Sequence, residues 1–334
     1  MVIHTKHKAS FKRVSKGSWM SGAGMSKPIS KQLHQKREKR DTPSPLGRID
    51  NTNFRVGSWN VGTIKGRSGE VVETLQRRNI DLCCLQEVRF AGKGCRMIEG
   101  KGAFYKLLWN NKTKKSDNES GFGGVGILVA EKWIEKIVEV VRVSDRIMYV
   151  KLMVGEELVT FICVYTPQAN LTSHAKQTFY DDLQCVFSKF HPDDVIIACG
   201  DWNGHVGKDA SGYEGIHGGN GYGIRNKEGE SLLDFAMANN LSITNTHFKK
   251  RLSHLITYKS GPFSSQVDYI LIKKKHLKLV KDTKIIPGEE CVPQHNLLVS
   301  KLTLTPTTTK PRPFVPKRRI WKLKDPSVSS QFES

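Results

Sequence analysis

Asp201 and Asn203 stand two residues apart where an almost wholly apolar run, Val195–Cys199, stops at Gly200. A carboxylate and an amide fixed at the end of a buried strand form a polar pair where ligands bind open α/β sheets. Taken alone, the same residues read equally as a turn, because Gly, Asp and Asn are common turn formers. Other apolar runs are punctuated in the same way. FRVGSW runs into Asn60, DLCCLQ into Glu87 and LVTFICV into Tyr165, while Asp268 precedes YILI and Gln294-His295 precede NLLVSKL. Entry residues of antiparallel strands share a rim with the exit residues of their neighbours, so these side chains are expected to converge on one sheet edge. Carboxylates suit a hard cation, amides and a phenol suit phosphate oxygens, and an Asp can orient a His. A Glu after a strand is usually a solvated end, and a lone His is usually a satisfied side chain. The joint occurrence points instead to a catalytic rim.

The elements that must position these residues are legible as runs and stripes. Phe54–Trp59, Asp81–Leu85, Gly124–Ala130, Met148–Val154, Leu158–Val164 and Val195–Cys199 read as strands, with later ones at Ile243–Thr246, Tyr269–Ile272 and Leu297–Leu302. Val71, Val72 and Leu75 predict a short helix ending near Asn79. Ala175, Phe179, Leu183, Val186 and Phe190 make one stripe of a helix over Ser173–Phe190, and a further helix is predicted over Lys227–Ala238. Hairpins mixed with helical crossovers indicate a mixed-sheet α/β domain. The Gly212–Gly223 loop lacks GxxxxGK[ST] and reads as a surface loop. His205 and His254 read as loop residues, and Trp202 and Phe122 as packing at the rim.

The chain has 334 residues and a formal net charge of +21. About nine of those charges fall on residues 1–50 and about five on the tail from Thr305. Basic arms flanking a less basic body point to a polyanionic partner, since Lys and Arg displace counterions from phosphates. The plainer reading is that the arms solubilise the chain, or carry nuclear-import clusters at Lys36–Arg40 and Lys317-Arg318-Arg319. The expected organisation is a basic disordered arm (1–50), a catalytic body (51–304) and a basic Pro/Thr-rich tail (305–334). The seven cysteines include no CxxC pair, which disfavours zinc. Without an apolar leader or a run of about 18 apolar residues, an intracellular, non-membrane protein is expected.

The motifs SWNVGT (58–63), LQEVR (85–89), VYTPQ (164–168), GDWN (200–203), SQVDYIL (265–271) and QHNLLV (294–299) resemble the endonuclease/exonuclease/phosphatase superfamily. Within it, SGYEGIHGGNGYGIRNKEGESLLDFAMANNLSITNT looks like the apurinic-type endonuclease domain of non-LTR retrotransposons of the BovB (RTE) branch. The resemblance covers about Phe54 to Leu302. It implies a DNase I-like, four-layer α/β sandwich of two packed mixed β-sheets flanked by helices. It also implies Mg²⁺-dependent hydrolysis of a DNA phosphodiester, with Mn²⁺ as a substitute. Carried over, Glu87 is the main metal ligand with Asn60 beside it. Asp201 activates or positions the attacking water, Asn203 and Tyr165 hold the scissile phosphate, and His295, oriented by Asp268, stabilises charge on the phosphoryl oxygens, or in an alternative mechanism acts with Asp268 as the general base. The family usually has Asp before the final His. Gln294 in its place still offers a carbonyl oxygen near the metal but removes a formal negative charge, so weaker Mg²⁺ affinity is expected.

The leading expectation is a nuclear enzyme that nicks one DNA strand and leaves a 3′-hydroxyl. A sister phosphoesterase acting on phosphoinositides or sphingomyelin is one rival. The other is a catalytically retired domain that binds DNA or chromatin proteins.

Overall fold

The strands that end or begin on these polar residues are the inner strands of two sheets. The computed structural model describes residues 52–113, 123–289 and 291–304, so both arms, their basic clusters and Phe122 lie outside the described residues. In chain order the first elements are β1 (Thr52–Asn60), α1 (Ser68–Arg77), β2 (Leu82–Gln86), β3 (Lys93–Glu99), β4 (Phe104–Asn110) and β5 (Val125–Ala130). Next come β6 (Ile137–Ser144), β7 (Ile147–Val154), β8 (Glu157–Tyr165), α2 (Ser173–Phe187), β9 (Val195–Asp201) and α3 (Lys227–Ala238). The last are β10 (Leu241–Ile243), β11 (Tyr258–Ser260), β12 (Phe263–Ser265), β13 (Asp268–Lys273), β14 (Val280–Ile286) and β15 (Leu297–Leu304).

Among the described residues, seven strands pair in the order β14-β15-β1-β2-β5-β4-β3 and six in the order β10-β13-β9-β8-β7-β6, with β11–β12 a separate hairpin. Both sheets are mixed, because β1–β2 and β8–β9 are parallel within otherwise antiparallel neighbours. The sheets pack face to face. Phe54, Val56, Leu82, Cys84 and Ile127 of the first interleave with Val150, Phe161, Cys163, Ile197 and Ile270 of the second, all essentially inaccessible to water. Burying each such aliphatic or aromatic side chain contributes roughly 1.5–3 kcal/mol, which makes this inter-sheet layer the main source of cohesion. The outer face of the seven-stranded sheet packs Trp59, Cys83 and Leu85 under Val71, Val72 and Leu75 of α1. The six-stranded sheet packs Ile162, Val164 and Ala198 under Phe179, Leu183 and Val186 of α2 and Leu232, Leu233 and Ala236 of α3. This is a four-layer sandwich with helices on both outer faces.

The largest departures from the expected boundaries are at β10 and at the end of α2. The strand predicted over Ile243–Thr246 is the short β10 followed by a 3₁₀ turn, Thr244–His247. The Thr244 hydroxyl donates to the Ile270 carbonyl at 2.8 Å, that of Thr246 donates to the Ile243 carbonyl at 2.7 Å, and the Asn245 amide donates to the Asp268 carbonyl at 3.0 Å. Side chains that bond local backbone in this way offer an alternative to the sheet ladder. The α2 helix stops at Phe187, with Phe190 packing from the following turn.

Candidate active site

β1 and β2 run parallel and end together, with Asn60 opposite Gln86. β8 and β9 do the same in the other sheet, with Tyr165 opposite Asp201, and β13 begins at that level with Asp268 opposite Asp201. β15 starts on the same rim, two residues after His295. Gly200 makes the close parallel approach possible: a Cβ there would sit 2.2 Å from the Val164 carbonyl oxygen. Gly204 likewise lies flat on the first turn of α3, where a Cβ would meet Glu228 and Gly229 backbone at 2.7 Å. The Asn226 side chain ties that turn to the loop, accepting from the backbone N–H groups of His205 and Gly229, each at 2.8 Å.

The rim residues meet across the two sheets. Asn60 Nδ2 donates to Asp201 Oδ2 at 3.0 Å, the Tyr165 hydroxyl donates to Glu87 Oε1 at 3.0 Å, and His295 Nδ1 lies 3.0 Å from Asp268 Oδ2. Asn60 Nδ2 also donates to Glu87 Oε1 at 3.1 Å, so one amide bridges two carboxylates. His295 Nε2 points toward Asp201 Oδ2, 3.9 Å away. Asn203 donates its backbone N–H to Asp201 Oδ1 at 3.0 Å and its side-chain Nδ2 to the Thr166 carbonyl at 2.7 Å. Glu87 and Asn203 both adopt left-handed backbone, with φ of 56° and 47°. Residues other than Gly, Asn and Asp seldom occupy that region, so the Glu87 conformation is held by its surroundings.

Charge states follow from these contacts. Burial works against ionising Glu87, but hydrogen bonds from Arg89, Asn60 and Tyr165 outweigh it, and its carboxyl sits below the ordinary range. Burial, followed by the nearby charge of Asp268, pushes Asp201 up to about 7, partly offset by His295 and Asn60. Burial alone would lower His295, yet the Asp268, Asp201 and Glu87 carboxylates raise it to about 9. Tyr165 is raised well above the ordinary phenol value by burial and by Glu87 and Asp201, so it remains a donor.

Asn60, Glu87, Tyr165, Asp201 and Asn203 therefore gather as one hydrogen-bonded group, with the Asp268–His295 pair against it. Gln294 stands beside it: the residue is exposed, and its backbone carbonyl accepts from the Lys259 N–H at 2.9 Å. His205 and His254 remain outside the group, His254 bonding the Ile285 carbonyl at 2.9 Å. Trp202 is fully buried packing, its indole N–H donating to the Tyr269 carbonyl at 3.2 Å.

Several supporting residues were not foreseen. The indole of Trp59 donates to the His295 carbonyl at 2.9 Å, and the Tyr258 ring lies 4.7 Å from the His295 ring. Arg89 pairs with Glu87 at 2.7 Å, and the Arg146 guanidinium lies 5.0 Å from the Tyr165 ring centroid. The Thr257 hydroxyl accepts the backbone N–H groups of Val267 and Asp268 at 2.9 and 3.1 Å, which sets the start of β13. Only Arg89, two residues after Glu87, carried a local sequence signal.

The donor set fits a hard cation. Asp201, Asp268 and His295 each offer a ligand atom within 4.8 Å of the others. Asp268 Oδ1 is buried with no hydrogen-bond partner among the described residues, and the Glu87 and Asp201 carboxylates flank the Asn60 amide. Asn60 presents nitrogen to both carboxylates and its oxygen to the Gly62 N–H at 3.0 Å. Ligation through that oxygen would require the opposite amide rotamer.

Comparison with known proteins agrees with this geometry. The chain is 30% identical over 265 residues to craniofacial development protein 2 of Bos taurus, an alignment covering 77% of this chain and 43% of that protein. The chain thus spans less than half the length of that relative. The fold is similar to the endonuclease domain of TRAS1, a telomere-specific non-LTR retrotransposon (TM-score 0.51, 17% identity, 75% of this chain and 99% of that one). It is also similar to the AP endonuclease LMAP from Leishmania major (TM-score 0.55, 11% identity, 75% and 88% coverage). Residues 57–290 match the Endonuclease/Exonuclease/phosphatase family, and with the rim geometry this places the chain as a member of that family.

Proposed function

We propose that this protein is a Mg²⁺-dependent DNA endonuclease that nicks one strand and leaves a 3′-hydroxyl. In this reading it derives from a BovB-branch non-LTR retrotransposon, acts in the nucleus, and uses residues 51–304 as its catalytic body. The observation that carries the reading is the set of cross-sheet hydrogen bonds Asn60–Asp201, Tyr165–Glu87 and Asp268–His295. They bring carboxylates, amides, a phenol and an imidazole of the required chemistry to one rim. The fold likeness to the TRAS1 endonuclease domain and to an AP endonuclease supports DNA over a lipid phosphate. The net charge of +21 supports it as well.

Glu87 would be the main ligand of the cation, with Asn60 and Gln294 beside it and Mn²⁺ able to replace Mg²⁺. When bound, the ion offsets negative charge that builds on phosphoryl oxygens during in-line displacement. The chain's own groups do the rest. Tyr165 and Asn203 donate hydrogen bonds to the scissile phosphate. Asp201, raised to about 7, accepts a proton from the attacking water near neutral pH. His295, held protonated by Asp268, directs its Nε2 proton at the developing charge.

Supercoiled plasmid should become relaxed circles with Mg²⁺ and stay supercoiled with a chelator, while a phosphoinositide substrate releases no phosphate. Phosphate release from the lipid without nicking would replace this reading by the sister phosphoesterase. Gln294→Asp restores a carboxylate beside the group. For unit charges ~4 Å apart the Coulomb gain is on the order of 4 kcal/mol at an effective dielectric near 20, before solvation offsets. Because Gln294 is exposed, the expected result is a several-fold lower Mg²⁺ concentration for half-maximal nicking. An unchanged requirement places this side chain out of reach of the cation.

A further inference from the structure

We propose that the outer face of the β14-β15-β1 edge, at the end away from the catalytic rim, is a second nucleic-acid-binding surface. The register sets Arg55 directly opposite Lys301, and Lys301 opposite Asp282. Lys284 lies on the same face two residues beyond Asp282. These residues and Arg78 line a depression of about 250 Å³ floored by Ile286 and Val299. Like charges directly opposite one another on a sheet are destabilising. Asp282 does not relieve the pair: it is engaged by Lys250 and Lys284, and Lys301 has no ion pair among the described residues. Exposed Lys278 and Lys281, on the turn into β14 and its first residues, extend the charge past the end of the sheet. Arg78 is paired with Glu289 at 2.6 Å, so among the described residues Arg55 and Lys301 are the lining cations left without a carboxylate; facing each other, they weaken the sheet and suit phosphates.

Topology separates this cluster from the rim. Arg55 lies five residues before Asn60 along β1, about 17 Å at ~3.3 Å per residue. It also faces outward from the sandwich. DNA is stiff on this scale, so a duplex lying across the rim would not turn down onto this face. Positive charge this far from the rim suits a second duplex held while the first is at the rim.

The test uses the full chain, with Lys281, Lys284 and Lys301 changed together to Gln. In chelator, binding of a labelled short duplex is followed against salt, and energy transfer between two differently labelled duplexes reports bridging. The expected result is a salt slope shallower by about 2–3, near 0.9 per lost phosphate contact, and loss of bridging. Nicking of the short duplex in Mg²⁺ is expected to be unchanged. The melting temperature should not fall; Lys301→Gln alone, which relieves the Arg55 repulsion, should give about one-third of the slope change. Unchanged slope and bridging would overturn the proposal, as would bridging absent from the wild type. A parallel fall in nicking would overturn it by making this face part of the scissile-duplex contact. Loss of polyglutamate binding without loss of nucleic-acid binding would overturn it in favour of an acidic protein partner. A wild-type chain that bridges duplexes through these lysines but never nicks would leave this inference standing and remove the catalytic one.

Discussion

Asp201→Asn is expected to slow plasmid nicking by on the order of 10²–10⁴-fold, the usual contribution of a general base. The substitution is nearly isosteric, so the surrounding packing should be kept. One carboxylate oxygen of Asp201 accepts from Asn60 Nδ2 and the other from the Asn203 N–H, so an amide must turn its NH₂ toward one of these donors. Its pH behaviour separates a chemical role from a structural one. A reaction needing ionised Asp201 and protonated His295 rises as pH passes the Asp201 value, about 7, and falls as it passes that of His295, about 9. A bound cation moves both limbs down, because positive charge favours the anionic carboxylate and the neutral imidazole. In Asp201→Asn the acid-side limb should disappear. His295 also loses one of the carboxylates that hold its proton, so the alkaline limb should move to lower pH. A rate within a few-fold of wild type, or an alkaline limb that moves upward, would show that Asp201 does not accept the proton.

Glu87→Ala is expected to reduce nicking by on the order of 10³-fold, corresponding to roughly 4 kcal/mol of lost charge stabilisation. It removes the acceptor shared by the Tyr165 hydroxyl, Asn60 Nδ2 and Arg89 Nη2. Asn60 keeps Asp201 as an acceptor, so the buried Tyr165 hydroxyl carries most of the loss, about 1–3 kcal/mol, and a lower melting temperature should accompany the lost activity. Glu87→Gln distinguishes the two effects. It keeps the side chain's size and one acceptor oxygen, and it should recover much of the stability but little of the nicking. Equal nicking by wild type and Glu87→Ala would trace the activity to another protein in the preparation.

The rim was legible because each of its main residues interrupts an apolar run, and a buried strand that stops on Asn, Glu or Asp leaves that group at a fixed level. Antiparallel entry residues then had to share that level, which brought in Asp268 and His295. The layers were less legible than the rim. β3 reads KGCRMIE with most of its residues exposed, and β6 is a partly exposed edge strand with register shifts, so neither shows the apolar alternation that identifies a strand. β14 reads VKDTKII and owes its place to pairing with β15 rather than to its own pattern. Trp59 and Tyr258 could not be assigned from sequence. Each acts on His295 through a carbonyl or a ring face more than 30 positions away, and no local spacing encodes that contact. The resemblance located Gln294, but only coordinates distinguish its exposed position from the buried group beside it.

Asn60, Glu87 and His295 belong to strands of one sheet or their immediate ends, and Tyr165, Asp201 and Asp268 to the other. Neither half can do the chemistry by itself. Catalysis in such a molecule is a gauge of registry between two slabs: a slip of an ångström or two would silence it while every strand and helix stayed intact. Turnover would then vanish ahead of any change in far-ultraviolet circular dichroism, and loosening of the apolar layer midway through the molecule would register first as lost cutting.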